Sequence, residues 1–131
     1  MVDDTEALRP VVLVVDDQDS LRRLIRVNLE LEGYAVVEAG DGVECLEQAR
    51  RWHPDVITLD VVMPRLDGLT VAAELNADAE LAAIPVIVVT TSGHPADMVR
   101  ARAAGVDAYL TKPYDPDELV HAVRALVGPA G

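Results

Sequence analysis

Positive charge is scarce in this chain: 11 lysines and arginines stand against 23 aspartates and glutamates, a net charge of −12 at neutral pH. That balance repels nucleic acid and anionic lipid, so neither direct nucleic-acid binding nor membrane binding is expected. Cysteine is scarcer still. The single one, Cys45, has no partner in the chain, so no disulfide framework holds the fold. No His, Lys or helix start beside it lowers its pKa, which marks it as an inert, partly buried thiol, and a reduced, cytoplasmic compartment fits. Long apolar runs are also missing. The longest, over residues 81–89, is interrupted by Pro85 and falls well short of the ~20 residues that span a bilayer. Residues 1–10 carry Asp3, Asp4 and Glu6 and no apolar run, so they read as a short flexible lead and not as a secretory signal.

What is present suits one compact domain over residues 11–127, with 128–131 as a tail. Half of the 131 residues are apolar, and a chain of this length buries roughly two-thirds of its unfolded surface. Five short apolar runs, at residues 11–15, 34–37, 56–59, 86–89 and 108–110, have the continuous character of strands covered on both faces. Between them the spacing turns helical. Leu21, Leu24, Ile25, Asn28, Leu29 and Glu32 follow a helical period whose apolar members form one stripe, leaving Arg22, Arg23, Arg26 and Glu30 for water, and Gly33 stops the helix. Further helices are expected near 42–52, 68–77, 95–104 and 116–127, with Gly105 and Gly128 as stops. The pattern is (βα)5: an α/β fold with a doubly wound, five-stranded parallel sheet, whose ligands bind outside the carboxyl ends of the strands.

The residues at those ends carry the chemistry. Asp16 and Asp17 follow the first run, Asp60 the third, Thr90 and Thr91 the fourth, and Thr111, Lys112 and Pro113 the fifth. Three carboxylates on one rim repel one another, and a hard divalent cation such as Mg²⁺ (or Mn²⁺) relieves the repulsion. Helix capping is the plainer reading of such residues. It covers Asp19 or Ser20 for the first helix and Asp67 for the third, but not two adjacent aspartates after one buried strand with a third after another. Lys112 brings a cation to the same rim, where an anion is its natural partner, and Pro113 restricts the chain with the cis form open to it. Thr90 offers a hydroxyl, or is simply a β-favouring residue at a strand end. A carboxylate nucleophile, a metal, a lysine and a hydroxyl make a site for in-line phosphoryl transfer, and an acceptor already ionised needs no general base. His53, His94 and His121 accordingly read as surface residues.

Val12-Leu13-Val14-Val15-Asp16-Asp17, Asp60-Val61-Val62-Met63-Pro64, Asp67-Gly68, the run from Pro85 to Thr90 and Tyr109-Leu110-Thr111-Lys112-Pro113 resemble, in order and spacing, the receiver domain of bacterial two-component response regulators. The resemblance covers residues 10–126. It implies a flavodoxin-like (CheY-like) sheet of strand order 2-1-3-4-5, with Asp60 as phosphoacceptor. Metal ligands would be Asp17, Asp60 and the backbone carbonyl of Val62, with Asp16 acting through metal-bound water. Lys112 and Thr90 would contact phosphoryl oxygens, and Thr90 with Tyr109 would carry a conformational switch. Val62, Thr91 and Ser92 would tune the rate of phosphate loss. The implied partners are a sensor histidine kinase or histidine phosphotransfer protein and a downstream protein effector, with the chain catalysing only its own phosphorylation and dephosphorylation, as a monomer or a phosphorylation-dependent dimer.

Two other activities fit less well. A haloacid-dehalogenase-type phosphatase would carry its nucleophile in an Asp-x-Asp pattern after the first strand, and a flavodoxin-like cofactor carrier would place glycine and hydroxyl residues where this chain has carboxylates. Residues 99–124 match only partly the surface through which DNA-binding regulators dimerise, with Ala108 and Ala122 where an acidic residue and an arginine are common. A stand-alone regulator acting through protein contacts is therefore expected, the alternative being an excised N-terminal receiver of a larger DNA-binding regulator or output enzyme.

Overall fold

The computed structural model describes residues 9–60, 62–63, 66–90 and 95–128. Five strands, β1 (Val11–Val15), β2 (Ala35–Ala39), β3 (Val56–Asp60), β4 (Val86–Thr90) and β5 (Ala108–Thr111), form one parallel sheet in the order β2-β1-β3-β4-β5. Five helices alternate with them: α1 (Asp19–Leu31), α2 (Gly42–Trp52), α3 (Gly68–Ala77), α4 (Pro95–Ala103) and α5 (Pro116–Val127). A two-residue antiparallel pair, Val62–Met63 against Leu66–Asp67, lies between β3 and α3. The expected (βα)5 fold and strand order are those observed. Among the described residues no helix is long and apolar enough to cross a membrane.

Continuous apolar strands are explained by a core on each face of the sheet. Along β1, Val12 and Val14 face Ile25 and Leu29 of α1 and Leu119 and Val123 of α5. Their neighbours Leu13 and Val15 face Cys45 and Ala49 of α2 and Val71 and Leu75 of α3. The period-2 alternation of side chains across a strand thus sends each pair of neighbours into different cores. A position within β1, β3 or β4 is buried whichever way it points, so these strands are apolar up to the rim except for Thr58 in β3, which is 2% exposed.

Several boundaries and exposures differ from the sequence reading. The second strand runs from Ala35 to Ala39, pairing with Val11–Val15, and not over 34–37. Tyr34 is buried just before it and donates its hydroxyl to the carbonyl of Gly128, 2.9 Å away. Glu38 belongs to the ladder despite its charge because Arg22 and Arg26 neutralise it. The same pairing overturns the expectation that Arg22 faces water, since its side chain is only 15% exposed, whereas Arg26 keeps 42% of its side chain exposed as it reaches Glu38. Leu24, placed on the buried stripe, is 55% exposed. The third, fourth and fifth strands each continue one residue beyond their apolar runs, to Asp60, Thr90 and Thr111, since the backbone ladder does not depend on side-chain polarity. Helix α4 ends at Ala103, one residue early.

Capping also departs from expectation. Gln18 is the N-cap of α1 and makes no side-chain cap; Asp19 lies in the first turn, where a carboxylate favours the helix dipole, and pairs with Arg22. Asp41 caps α2, accepting from the Glu44 amide, and Asp115 forms a capping box with Glu118 at α5. The side chain of Asp67 lies outside the described residues. Gly33 and Gly105 end their helices with φ of 97° and 89°, a region where side chains are strained. At Gly105 a Cβ would also stand 2.6 Å from Asn76 Cγ.

Cys45 is fully buried, beyond the partial burial expected, and burial pushes its thiol up to about 12, with the Asp41 carboxylate adding to the shift. At pH 8 the thiol is therefore protonated and screened from solvent. A thiol reagent such as Ellman's should label none of the folded protein within minutes and all of it in guanidinium; rapid labelling of the native state contradicts this packing.

Candidate functional site

Parallel strands all end at the same rim, and here β1, β3, β4 and β5 deliver Asp16, Asp60, Thr90 and Lys112 to it. Carboxylate oxygens of Asp16, Asp17 and Asp60 lie within 4.8 Å of one another, the spacing a single cation can bridge. The three differ in setting. Asp16 and Asp60 are 2% and 5% exposed, whereas Asp17 faces solvent. One side of the cluster is thus buried in protein and the other is open to water and to an incoming ligand.

Charge in the cluster is only partly balanced. Lys112 Nζ stands 2.9 Å from Asp60 Oδ2, an ion pair within hydrogen-bond distance. Lys112 is held there by its backbone, since its amide donates to the Thr90 carbonyl at 2.6 Å, and the peptide between Lys112 and Pro113 is cis. Burial pushes the Asp16 carboxyl above its usual range. The Gln18 amide, bonded to Asp16 Oδ1 at 2.9 Å, and the Lys112 charge oppose that shift, while Asp60 and Asp17 add to it. Tyr114, half-buried beyond Pro113, has its phenol pushed up by burial and by the same two carboxylates, Asp16 and Asp60.

These observations test the fit of a divalent cation. One ammonium faces three carboxylates, one of which resists ionisation, and the donors are all hard oxygens with an open side, as Mg²⁺ prefers. The residues fit the group. Val62 lies in the short antiparallel pair just after Asp60, with only its backbone described.

The remaining sequence-derived positions divide. Thr90 is buried at the end of β4, whose Val89 is the register partner of Asp60. Tyr109 is half-buried on β5 and packs against the core beneath α2 and α3. Thr91, Ser92 and His94 lie outside the described residues. His53 is exposed at the C-cap of α2 and His121 is exposed in the middle of α5. The sequence reading missed Arg22, which donates to the main-chain oxygen of Asp16 at 2.7 Å; its helical spacing alone had assigned it to the solvent face. A mainly apolar groove of about 480 Å³ between α1 and α5, lined by Leu21, Ile25, Tyr114 and Leu119 among others, reaches the charged cluster only through Lys112.

Comparison with known proteins agrees with this geometry. Residues 12–124 match the family model described as response regulator receiver domain. The chain is 40% identical over 118 residues to the DNA-binding dual master transcriptional regulator RpaA of Synechocystis sp., covering 90% of this chain and 49% of that protein. It is 39% identical to the alkaline phosphatase synthesis transcriptional regulatory protein PhoP of Bacillus subtilis, covering 88% of this chain and 48% of the other. The chain therefore spans about half the length of these curated relatives. Among solved structures, Vibrio cholerae chemotaxis protein CheY4 superposes with a TM-score of 0.85 at 30% identity, covering 90% of this chain and 98% of that one. The receiver domain of Francisella response regulator 1452 gives 0.83 at 33% identity, covering 90% and 96%. With the acidic cluster at the carboxyl rim of a 2-1-3-4-5 sheet, these matches establish that the chain belongs to the response regulator receiver domain family of two-component systems.

Proposed function

We propose that this chain is a cytoplasmic switch that takes a phosphoryl group on Asp60 from a sensor histidine kinase or histidine phosphotransfer protein and signals through a protein effector. Phosphorylation and Mg²⁺ binding are general properties of its family. The observation that carries the assignment to Asp60 is its position, nearly buried at the end of β3, beside both Asp16 and Asp17 and 2.9 Å from Lys112.

In this reading an Asp60 oxygen attacks phosphorus in line, the bond from phosphorus to the donor's imidazole nitrogen breaks, and the imidazole leaves with the electron pair. No proton is removed from the nucleophile, because the carboxylate is already ionised, so the protein needs no base. Mg²⁺, held by Asp17, Asp60 and the Val62 carbonyl with Asp16 acting through water, would neutralise the phosphoryl oxygens as charge develops. Lys112, freed from its pairing with the Asp60 carboxylate, meets a second oxygen of the new dianion. Thr90 supplies a hydroxyl to the remaining face, and Tyr109 on the adjoining strand turns inward behind it, changing the surface of α4, β5 and α5. Val62, Thr91 and Ser92 set how readily water reaches the acyl phosphate. The chain's catalysis is confined to its own phosphorylation and dephosphorylation, as a monomer or a phosphorylation-dependent dimer. That a stand-alone regulator fits is supported by the 98% coverage of CheY4; the receiver of a longer DNA-binding regulator is supported by the half-length match to RpaA and PhoP. The native reading frame separates the two.

Three outcomes are expected. Labelling by acetyl phosphate or a kinase should disappear in Asp60→Ala and be labile to hydroxylamine in the wild type; undiminished label in the variant refutes the assignment. The second concerns the metal. A carboxyl whose folded pKa is raised stabilises the fold only below its unfolded pKa of about 3.9, and that stability is lost as pH rises through the folded value. At pH 7, above the unfolded value, the raised pKa of Asp16 therefore destabilises the metal-free protein. Asp16→Asn should raise the metal-free Tm by a few degrees, since 1 kcal/mol shifts Tm by about 4 °C at this size. Millimolar Mg²⁺ should raise the wild-type Tm by mass action and the variant's by less. An equal Mg²⁺ response in both proteins counts against Asp16 at the metal. Thirdly, Thr90→Ala treated with beryllofluoride should bind the mimic but fail to reproduce the activated NMR shifts across residues 95–127; a full wild-type response shows that coupling runs elsewhere.

A further inference from the structure

Both backbone groups of Asp16 are hydrogen-bonded, the amide to the end of β2 and the carbonyl to α1. Its amide donates to the carbonyl of Ala39 at 3.1 Å. Its carbonyl accepts from Arg22 Nη1 at 2.7 Å, and the same guanidinium donates through Nε to Glu38 Oε1 at 3.0 Å and through Nη2 to Asp19 Oδ1 at 2.7 Å. Glu38 is fixed in turn by Arg26, whose Nη1 meets its second oxygen at 2.7 Å. With all three nitrogens engaged, the Arg22 fork has a defined plane that no single-point cation could reproduce. Burial opposes its charge, but the bonds to Asp19 and Glu38 outweigh this and hold the guanidinium more firmly protonated than usual.

The end of β2 also lies close against this fork. Gly40 follows β2 directly, and a Cβ built there would lie 3.4 Å from Arg22 Nη1 and 3.3 Å from Glu44 Oε2. A Cβ there would thus just touch the guanidinium, and its one tight contact would be with the flexible Glu44 carboxylate.

We propose that Arg22, braced by Glu38, is a positioning residue for the metal site: it fixes the peptide after Asp16 and so sets the aim of Asp16 and Asp17 into the cluster. The inference rests on the metal reading above. Three carboxylates driven apart by mutual repulsion need a mechanical restraint to stay convergent before the cation arrives, and the Asp16 carbonyl is the point where that restraint is applied. Outer groups of this kind change metal affinity by about 10–100-fold when removed. Arg22 touches neither cation nor phosphoryl group; it acts through Asp16.

The test is Mg²⁺ affinity, measured by calorimetry on the full chain for wild type, Arg22→Ala, Arg22→Lys, Glu38→Gln and Arg124→Ala. The last removes an ion pair with Glu32 at 3.3 Å, away from the site, and controls for a general loss of stability. Arg22→Ala should weaken Mg²⁺ binding at least tenfold, Glu38→Gln less, and Arg22→Lys should recover part of the loss, with Arg124→Ala unchanged. In the metal-free proteins the Gln18 amide, bonded to Asp16, should exchange with solvent faster in Arg22→Ala than in Arg124→Ala. If Arg22→Ala fails to fold, Glu38→Gln and Arg22→Lys decide by the same ordering against Arg124→Ala. Wild-type Mg²⁺ affinity in the Arg22 and Glu38 variants overturns the positioning role and leaves the metal site standing. A wild type that binds no Mg²⁺ overturns both.

Discussion

The repulsion among Asp16, Asp17 and Asp60 is the constraint around which the rest of this molecule is arranged. Bringing their oxygens within 4.8 Å is unfavourable in the absence of a cation, and burial of Asp16 and Asp60 worsens it by removing water. Only a scaffold whose stability comes from elsewhere can hold them there. The two cores supply it: β1, β3 and β4, covered on both faces, bury mainly apolar side chains, and the rim inherits its geometry from a ladder that does not depend on the rim's own residues. Among the described residues the countercharge paired with the cluster is Lys112, delivered at the end of β5 through a backbone bond to β4.

This division of labour accounts for the uneven character of the strands. Central β3 and β4 are buried at every residue, up to and including Asp60 and Thr90, whereas β2 at the sheet edge is half-exposed until Ala39. A charged residue costs less on an edge strand, where it stays part-exposed, than in a central one, and Glu38 occupies such a place on β2. Its position lets α1 arginines turn back over the sheet instead of toward water, joining the edge of the sheet to the peptide that carries Asp16. Family membership and the geometry of the rim are thus matched by a scaffold in which Lys112 partly balances the acidic site and Arg22 binds the peptide that carries Asp16.

Much of this was legible in the residues themselves. Alternating apolar runs and helical stripes specify a parallel sheet because each local segment agrees with the global pattern, and the carboxyl-end rule then points to Asp16, Asp17, Asp60, Thr90 and Lys112 with no coordinates. Where local polarity and the ladder disagree, sequence reasoning stopped early: at Asp60, Thr90 and Thr111 it ended strands that continue, and at Glu38 it removed a residue that belongs. The helical wheel likewise placed Leu24 inside and Arg22 outside, since periodicity defines a stripe but not which edge of it a neighbouring helix covers.

By itself, then, the sequence determined the order of elements, the two-faced core and the identity of the acidic trio, because those follow from side-chain periodicity and from residues adjacent to strand ends. Tertiary structure alone decided which charges meet. The pairing of Lys112 with Asp60 across 52 positions, and of Arg22 with Glu38 across 16, depends on strand order and register, which bring distant segments within 3.0 Å. Exposure of the remaining groups followed from the same packing. A charged side chain near a strand end is neutralised, buried or left in water according to what the neighbouring strand presents, and that neighbour is fixed by topology, not by proximity in the chain.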